Sequence, residues 1–137
     1  MKPFKVNIVT PEKVAWEAEA VSVILPGSLG YLGIWANHAP LVSGLEPGVV
    51  TIRLDDTGTT RYLSCGGGFV EVSDNVVNVM TDSCEEAGEI DGHRARAALA
   101  RAKERLLSRD AAIDKERALL ARQRAEARLK VLDLMEK

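Results

Sequence analysis

The sequence predicts an all-β N-terminal sandwich or barrel followed by a C-terminal α-helical hairpin. Three observations carry this reading. Apolar residues in the first half recur at every second position, as in Phe4, Val6, Ile8 and Val21, Val23, Leu25, the period of half-buried strands. All 5 prolines and 11 glycines lie at or before Gly92, so turn chemistry stops there. From His93 to Lys137 follow 45 residues rich in Ala, Arg, Leu and Glu, the strongest helix formers. The implied division is a β domain over 1–87 and a helical arm over 88–137.

Within the β domain, Gly48 to Asp55 and Thr59 to Ser64 flank Asp56-Thr57-Gly58, and Gly68 to Ser73 and Val76 to Thr81 flank Asp74-Asn75. Both are hairpin turn signals, and together they predict a small antiparallel sheet. Cys65-Gly66-Gly67-Gly68-Phe69 lacks the Lys-Ser/Thr of a phosphate loop and leads into a strand, so it reads as a bulge or tight crossing.

A single helix over the last 45 residues would reach about 67 Å at 1.5 Å per residue, longer than the β domain can cover. Ser108-Arg109-Asp110 offers a break, because Ser and Asp compete for backbone hydrogen bonds and Asp110 can cap a following helix. Ile90-Asp91-Gly92-His93-Arg94-Ala95 recurs 23 residues later as Ile113-Asp114-Lys115-Glu116-Arg117-Ala118, with nine identities in eighteen aligned positions. Arg94, Arg101 and Arg105 share their spacing with Arg117, Arg124 and Arg128, giving each helix an arginine stripe. The apolar seam is expected at Ala95, Ala98, Leu99, Ala102 and Leu106 on the first helix, and at Ile113, Leu120, Ala127 and Leu134 on the second. Alanine forfeits about 0.8 kcal/mol per missing methylene, so the arm is expected to be marginal and to open at 108–110.

Net charge divides with the fold. Residues 1–89 hold 5 Lys/Arg against 12 Asp/Glu, net −7, and residues 90–137 hold 13 against 8, net +5. A basic arm on an acidic domain is expected to fold back on its own chain or to seek an acidic partner. Six aromatic residues are few for a base-stacking platform. No apolar run approaches the roughly 20 residues that span a bilayer, and Met1 to Asn7 lacks the apolar core of a signal peptide, so a cytoplasmic protein without membrane insertion is expected. Cys65 and Cys84 are expected to be reduced and packed. With two histidines and no Cys/His cluster at zinc-ligand spacing, neither a metal site nor catalysis by this chain alone is expected.

The segment Pro26-Gly27-Ser28-Leu29-Gly30-Tyr31-Leu32-Gly33-Ile34-Trp35-Ala36-Asn37-His38-Ala39-Pro40-Leu41, with Gly66-Gly67-Gly68-Phe69-Val70-Glu71-Val72 and Ile90-Asp91-x-x-Arg94-Ala95, closely resembles the epsilon subunit of F-type ATP synthases, nearly end to end. The resemblance implies a non-catalytic rotor subunit whose β sandwich sits at the foot of the central stalk on the gamma subunit and the rotor c-ring. It implies a peripheral place at the cytoplasmic face of the bacterial inner membrane. It also implies an inhibitory arm, folded on the sandwich or extended toward acidic segments of the catalytic beta, and alpha, subunits.

By family position, Leu29, Gly30 and Tyr31 match the loop facing the rotor ring, and His38, Leu41, Val42 and Ser43 match the surface on gamma. The chain departs at Leu29 and Tyr31, where acidic residues are common, and at Ala36-Asn37, where Pro-Gly is common. Without the resemblance, the favoured reading of His38 is a loop histidine satisfied by backbone.

Some bacterial members bind ATP in the folded hairpin, a regulatory ligand in place of a required cofactor. The matching positions are Glu85, Ile90, Asp91, Arg94, Ala95, Arg101, Arg124 and Arg128. Guanidinium groups can share a triphosphate while a carboxylate accepts from adenine or ribose. The same spacings also suit a solvated face. The rival reading is an arginine-rich module binding nucleic acid or another acidic partner; the acidic β half and the carboxylates interleaved in the arm count against nucleic acid.

Overall fold

Alternating burial builds the sheet. In β1 (Phe4–Val9) the residues Phe4, Val6 and Ile8 are buried while Lys5 and Val9 face out. The strands β2 (Val14–Ala20), β3 (Ser22–Gly27), β4 (Gly30–Ile34), β5 (Leu41–Arg53), β6 (Thr60–Ser73), β7 (Val76–Thr81) and β8 (Cys84–Glu86) follow in chain order. The structure, a computed structural model, describes residues 1–136. The path across the sheet is β2-β1-β7-β6-β5-β3-β4, with β8 paired to β6, and it closes around one core that includes Ile8, Leu25, Ile34, Ile52, Leu63 and Val79.

The all-β sandwich with a helical hairpin is the observed architecture, with two departures from the sequence reading. β1 and β7 pair in parallel, Lys5 opposite Val76 through Val9 opposite Met80, so the sheet is mixed and not wholly antiparallel. The two short strands expected at 59–64 and 68–73 are one strand. β6 runs through Gly66, Gly67 and Gly68, where Gly67 and Gly68 take φ of 96° and 138°. These glycines let β5, β7 and the segment before β8 approach the strand at closest range, which is the tight crossing that the glycine run suggested.

The turn between β5 and β6 is built on Asp55. Its Oδ1 accepts from the Thr57 hydroxyl (2.7 Å), the Thr57 amide (3.0 Å) and the Thr59 amide (3.1 Å). Bonds from the Thr57 hydroxyl first, then from Thr59, hold this carboxyl at about 2, below its ordinary 3.8. A depressed carboxylate contributes its stability above the unfolded value and loses it as pH falls through the folded one. The turn is therefore expected to weaken only between about pH 3.8 and 2, with the Asp55 carboxyl midpoint near 2 by NMR titration. A midpoint near 3.8 would contradict this.

Cys65 and Cys84 are register partners across β6 and β8, free and buried, with their sulfurs 3.6 Å apart. They pack the end of the sandwich from which the arm departs.

A single 3-10 turn, Ala87–Glu89, leads into α1 (Gly92–Leu107) and α2 (Lys115–Met135). Each helix begins on an aspartate cap: Asp91 Oδ1 accepts from the Arg94 amide and Asp114 Oδ1 from the Arg117 amide, both at 3.1 Å. The connection between them is closed by Lys115, whose Nζ donates to the carbonyls of Arg105 (2.8 Å), Leu106 (3.1 Å) and Ser108. A cation on the last carbonyls of α1 satisfies groups that the helix leaves unpaired.

α2 packs on β5 and β6 as well as on α1, whereas α1 packs on α2. The division of α2 into two buried faces displaces the expected seam. Ala118 and Ala125 are buried with Ala95 and Ala102, while Ala127 and Val131 join Val49 in a separate small cluster against the sheet. Leu120 is 43% exposed. Of the heptad 113-120-127-134, Ala127 and Leu134 belong to the cluster against the sheet, and the face on α1 is carried by alanines outside it.

Candidate functional site

Where β8, the 3-10 turn and the hairpin meet, a cavity of about 210 Å³ is lined by Glu85, Glu89, Asp91, Arg94, Ala95, Ala98, Arg101 and Arg128. β8 supplies Glu85, the aspartate cap fixes Asp91, and two turns of helical spacing bring Arg94 and Arg101 to the same face. Arg128 crosses from α2: its Nε donates to Glu85 Oε1 at 2.6 Å, with both side chains near 30% exposed. Glu89 also faces Lys13 at 3.8 Å. Three arginines and three carboxylates leave the cavity neutral overall, so it offers donors for phosphate beside acceptors for hydroxyl or amino groups.

Six of the sequence-selected residues, Glu85, Asp91, Arg94, Ala95, Arg101 and Arg128, thus converge. Ile90 does not line the cavity; it packs against the Val49, Ala127 and Val131 cluster and anchors the start of α1. Arg124 faces a different cavity, of about 520 Å³, with Arg105, Ala112, Ile113, Asp114, Arg117, Ala118 and Ala121. Glu89 and Ala98 were missed by the sequence reading. Glu89 directly precedes the Ile-Asp motif, but its entry into the cavity depends on the 3-10 turn, which no periodicity signals. A larger space of about 590 Å³ between α2 and the sheet touches Tyr31, Val49, Leu99 and Lys130 and is mostly apolar, without the arginines.

The remaining selected residues lie on loops of the sandwich. Leu29 is fully exposed at the tip between β3 and β4, beside Gly30, whose φ of 125° favours glycine, and Tyr31 is exposed as well. His38 Nδ1 lies 2.7 Å from the Ala39 carbonyl, so in the Nδ1–H tautomer it donates within its own loop. The preceding Asn37 takes φ of 62° and its amide donates to Asn75 Oδ1 at 2.7 Å, tying this loop to the β6–β7 turn. In β5, Leu41 packs on the core, Val42 is 72% exposed, and Ser43 Oγ donates to the Gly44 carbonyl.

A family model described as "ATP synthase, Delta/Epsilon chain, beta-sandwich domain" matches residues 3–87, and one described as "ATP synthase, Delta/Epsilon chain, long alpha-helix domain" matches residues 89–133. An ATP synthase epsilon chain of Moorella thermoacetica is 44% identical over 130 residues, covering 95% of this chain and 96% of that one. One from Desulfitobacterium hafniense is 45% identical over 126 residues, covering 92% and 93%. Among solved structures, a chain of the Euglena gracilis mitochondrial ATP synthase (OSCP/F1/c-ring) superposes with a TM-score of 0.80 at 21% identity, over 98% of this chain and 82% of that one. At that identity the likeness is one of fold.

Proposed function

Because the chain belongs to the ATP synthase delta/epsilon chain family, we propose that it is a non-catalytic central-stalk subunit whose β sandwich anchors to the gamma subunit and the c-ring. In this reading the C-terminal arm restrains ATP hydrolysis when it leaves the sandwich and reaches the catalytic beta and alpha subunits. The complex lies at the cytoplasmic face of the membrane. Among the described residues no helix is long and apolar enough to cross a membrane, and a peripheral place needs none.

The observation that carries the regulatory reading is how the arm is held. Its sheet contacts centre on a small apolar cluster at Val131 and on the Glu85–Arg128 bond, while the two helices meet through alanines. A body attached over so little apolar area is separable from the sandwich at a cost of a few kcal/mol. Exposed Leu29 and Tyr31 suit a contact at the β3–β4 tip with the rotor ring, and Val42 with His38, Leu41 and Ser43 suits a surface on gamma. Removing residues 91–137 is expected to leave assembly intact and to raise ATP hydrolysis by the complex; an unchanged rate would refute the inhibitory role.

The neutral cavity at Arg94, Arg101 and Arg128 is the proposed place for regulatory ATP, with Glu85 or Asp91 accepting from its base or sugar. Its 210 Å³ falls below the roughly 300–1,000 Å³ of small-molecule sites, so binding requires some opening of the hairpin base. A ligand that prefers the hairpin shifts the arm towards it. Calorimetry with millimolar ATP is expected to show heat, and Arg94→Ala to remove the part of it that arises at the hairpin base. No heat with the wild-type protein would remove the proposal.

A further inference from the structure

We propose that the tip of the hairpin carries a second site, for a phosphate-bearing anion, formed by Arg105 of α1 with Arg117 and Arg124 of α2. The 23-residue repeat maps Asp91, Arg94, Ala95, Ala98 and Arg101 onto Asp114, Arg117, Ala118, Ala121 and Arg124, and it maps Arg105 onto Arg128. The cavity at the hairpin base takes the first five from α1 and Arg128 from α2; the cavity at the tip takes their five counterparts from α2 and Arg105 from α1. Two similar helices packed antiparallel are related by an approximate two-fold axis, and that axis generates both cavities. The duplication in sequence is thus a duplication of a cleft.

The two copies differ in charge. At the base, Glu85 and Glu89 of the β-domain end neutralise the arginines, and Arg128 is bonded to Glu85. Among the described residues that line the tip there is no such pair: three arginines face the single carboxylate Asp114, net +2, and Asp114 Oδ1 is engaged by the Arg117 amide. Among the described residues none of the guanidinium groups of Arg105, Arg117 and Arg124 has a hydrogen-bond or ion-pair partner. Ala118 and Ala121 form a short-chained wall, which leaves about 520 Å³ of space in front of the three forks.

Planar guanidinium groups match phosphate oxygens two at a time, and like charges that converge without a counter-ion are relieved by an anion. The tip therefore suits a di- or triphosphate group, free or at the end of a nucleotide, and has little to offer a nucleoside. Arg105 and Arg117 are twelve positions apart, about 18 Å in one straight helix, so the site exists only while the hairpin is folded. Its occupant ties the helices together at the end remote from the sandwich. The site stands whether or not ATP occupies the base.

The test follows the backbone amides around residue 105 and residues 114–124 of the full chain by NMR, titrating inorganic pyrophosphate, ATP and adenosine. Pyrophosphate is expected to shift these amides saturably. Arg117→Gln and Arg105→Gln are each expected to weaken that binding by about tenfold or more, the loss of one charge-assisted bond. Arg94→Gln, at the base, and Lys103→Gln, an equal change of charge outside the site, leave it as it was. ATP shifting the same amides in the Arg94→Gln protein assigns the site to nucleotide phosphates; pyrophosphate acting alone assigns it to the free anion. Adenosine shifting them, no saturable shift with pyrophosphate, or equal losses from Lys103→Gln and Arg117→Gln would overturn the proposal.

Discussion

Gly68→Val is expected to leave little folded protein. A Cβ at this position would lie 2.0 Å from the carbonyl oxygen of Met80 and 3.0 Å from the Thr81 Cα, both backbone of the neighbouring β7. No rotamer relieves such a contact, and β7 is fixed by β6 on one side and β1 on the other. The φ of 138° adds strain for any residue with a side chain. Together these exceed about 5 kcal/mol, comparable with a total stability on the order of 5–15 kcal/mol. Gly66→Ala provides the contrast: its Cβ would meet the Ser83 hydroxyl at 2.5 Å, a side-chain atom that can rotate away. Urea denaturation should show Gly66→Ala folded with a lowered midpoint and Gly68→Val largely unfolded; equal midpoints for the two would overturn the argument.

Val131→Asp is expected to release the whole arm and spare the sandwich. Val131 is fully buried between α2 and the sheet, packed with Val49 and Ala127 and flanked by Tyr62, Ile90 and Leu134. Among apolar neighbours a carboxylate either ionises without a partner or is neutralised at a cost, about 3 kcal/mol or more in each case. That matches what the small cluster contributes to docking. Because α1 is held through α2, both helices should come away together. Hydrogen exchange should then show protection lost across 92–135 and kept in β5, β6 and β7. Retained protection in α2 would refute the docking account. In the assembled complex the same substitution should lower ATP hydrolysis if a released arm inhibits, opposite in sign to removal of the arm.

The sequence disclosed most of the local architecture because the signals were local. Asp56-Thr57-Gly58 and Asp74-Asn75 turn the chain where their residue types say, with Asp74 and Asn75 at φ of 50° and 62°. The cap of the second helix was not legible: Asp110 was expected there, but the caps are Asp91 and Asp114, the second residue of each repeat, and Asp110 Oδ1 accepts from the Ala112 amide within the connection. What else stayed hidden is non-local. Nothing in Phe4 to Val9 distinguishes a parallel neighbour from an antiparallel one, since both bury the same alternate residues. Cys84 to Glu86 is too short to show alternation, yet it positions Glu85. Alanine is small enough for any face, so its spacing in α2 could not say which alanines meet α1 and which meet the sheet. For the same reason the arginine stripes were visible but not their partition: Arg105 and Arg128 each leave their own stripe to complete the cleft of the other helix.

The lysine at the turn of the hairpin has a mechanical corollary. Lys115 Nζ occupies the carbonyls of Arg105, Leu106 and Ser108 in the bent arm. In a continuous helix those carbonyls would be taken by the amides of Arg109, Asp110 and Ala112, four residues on in each case. Asp110 and Ala112 now spend these amides on side-chain oxygens of Ser108 and Asp110. Straightening would give each of these three acceptors a backbone donor in place of the lysine, and would move the Asp110 and Ala112 amides from side-chain to backbone oxygens. At these three carbonyls the cost of unbending would be small, and the arm's resting angle would be set by whatever touches its flanks.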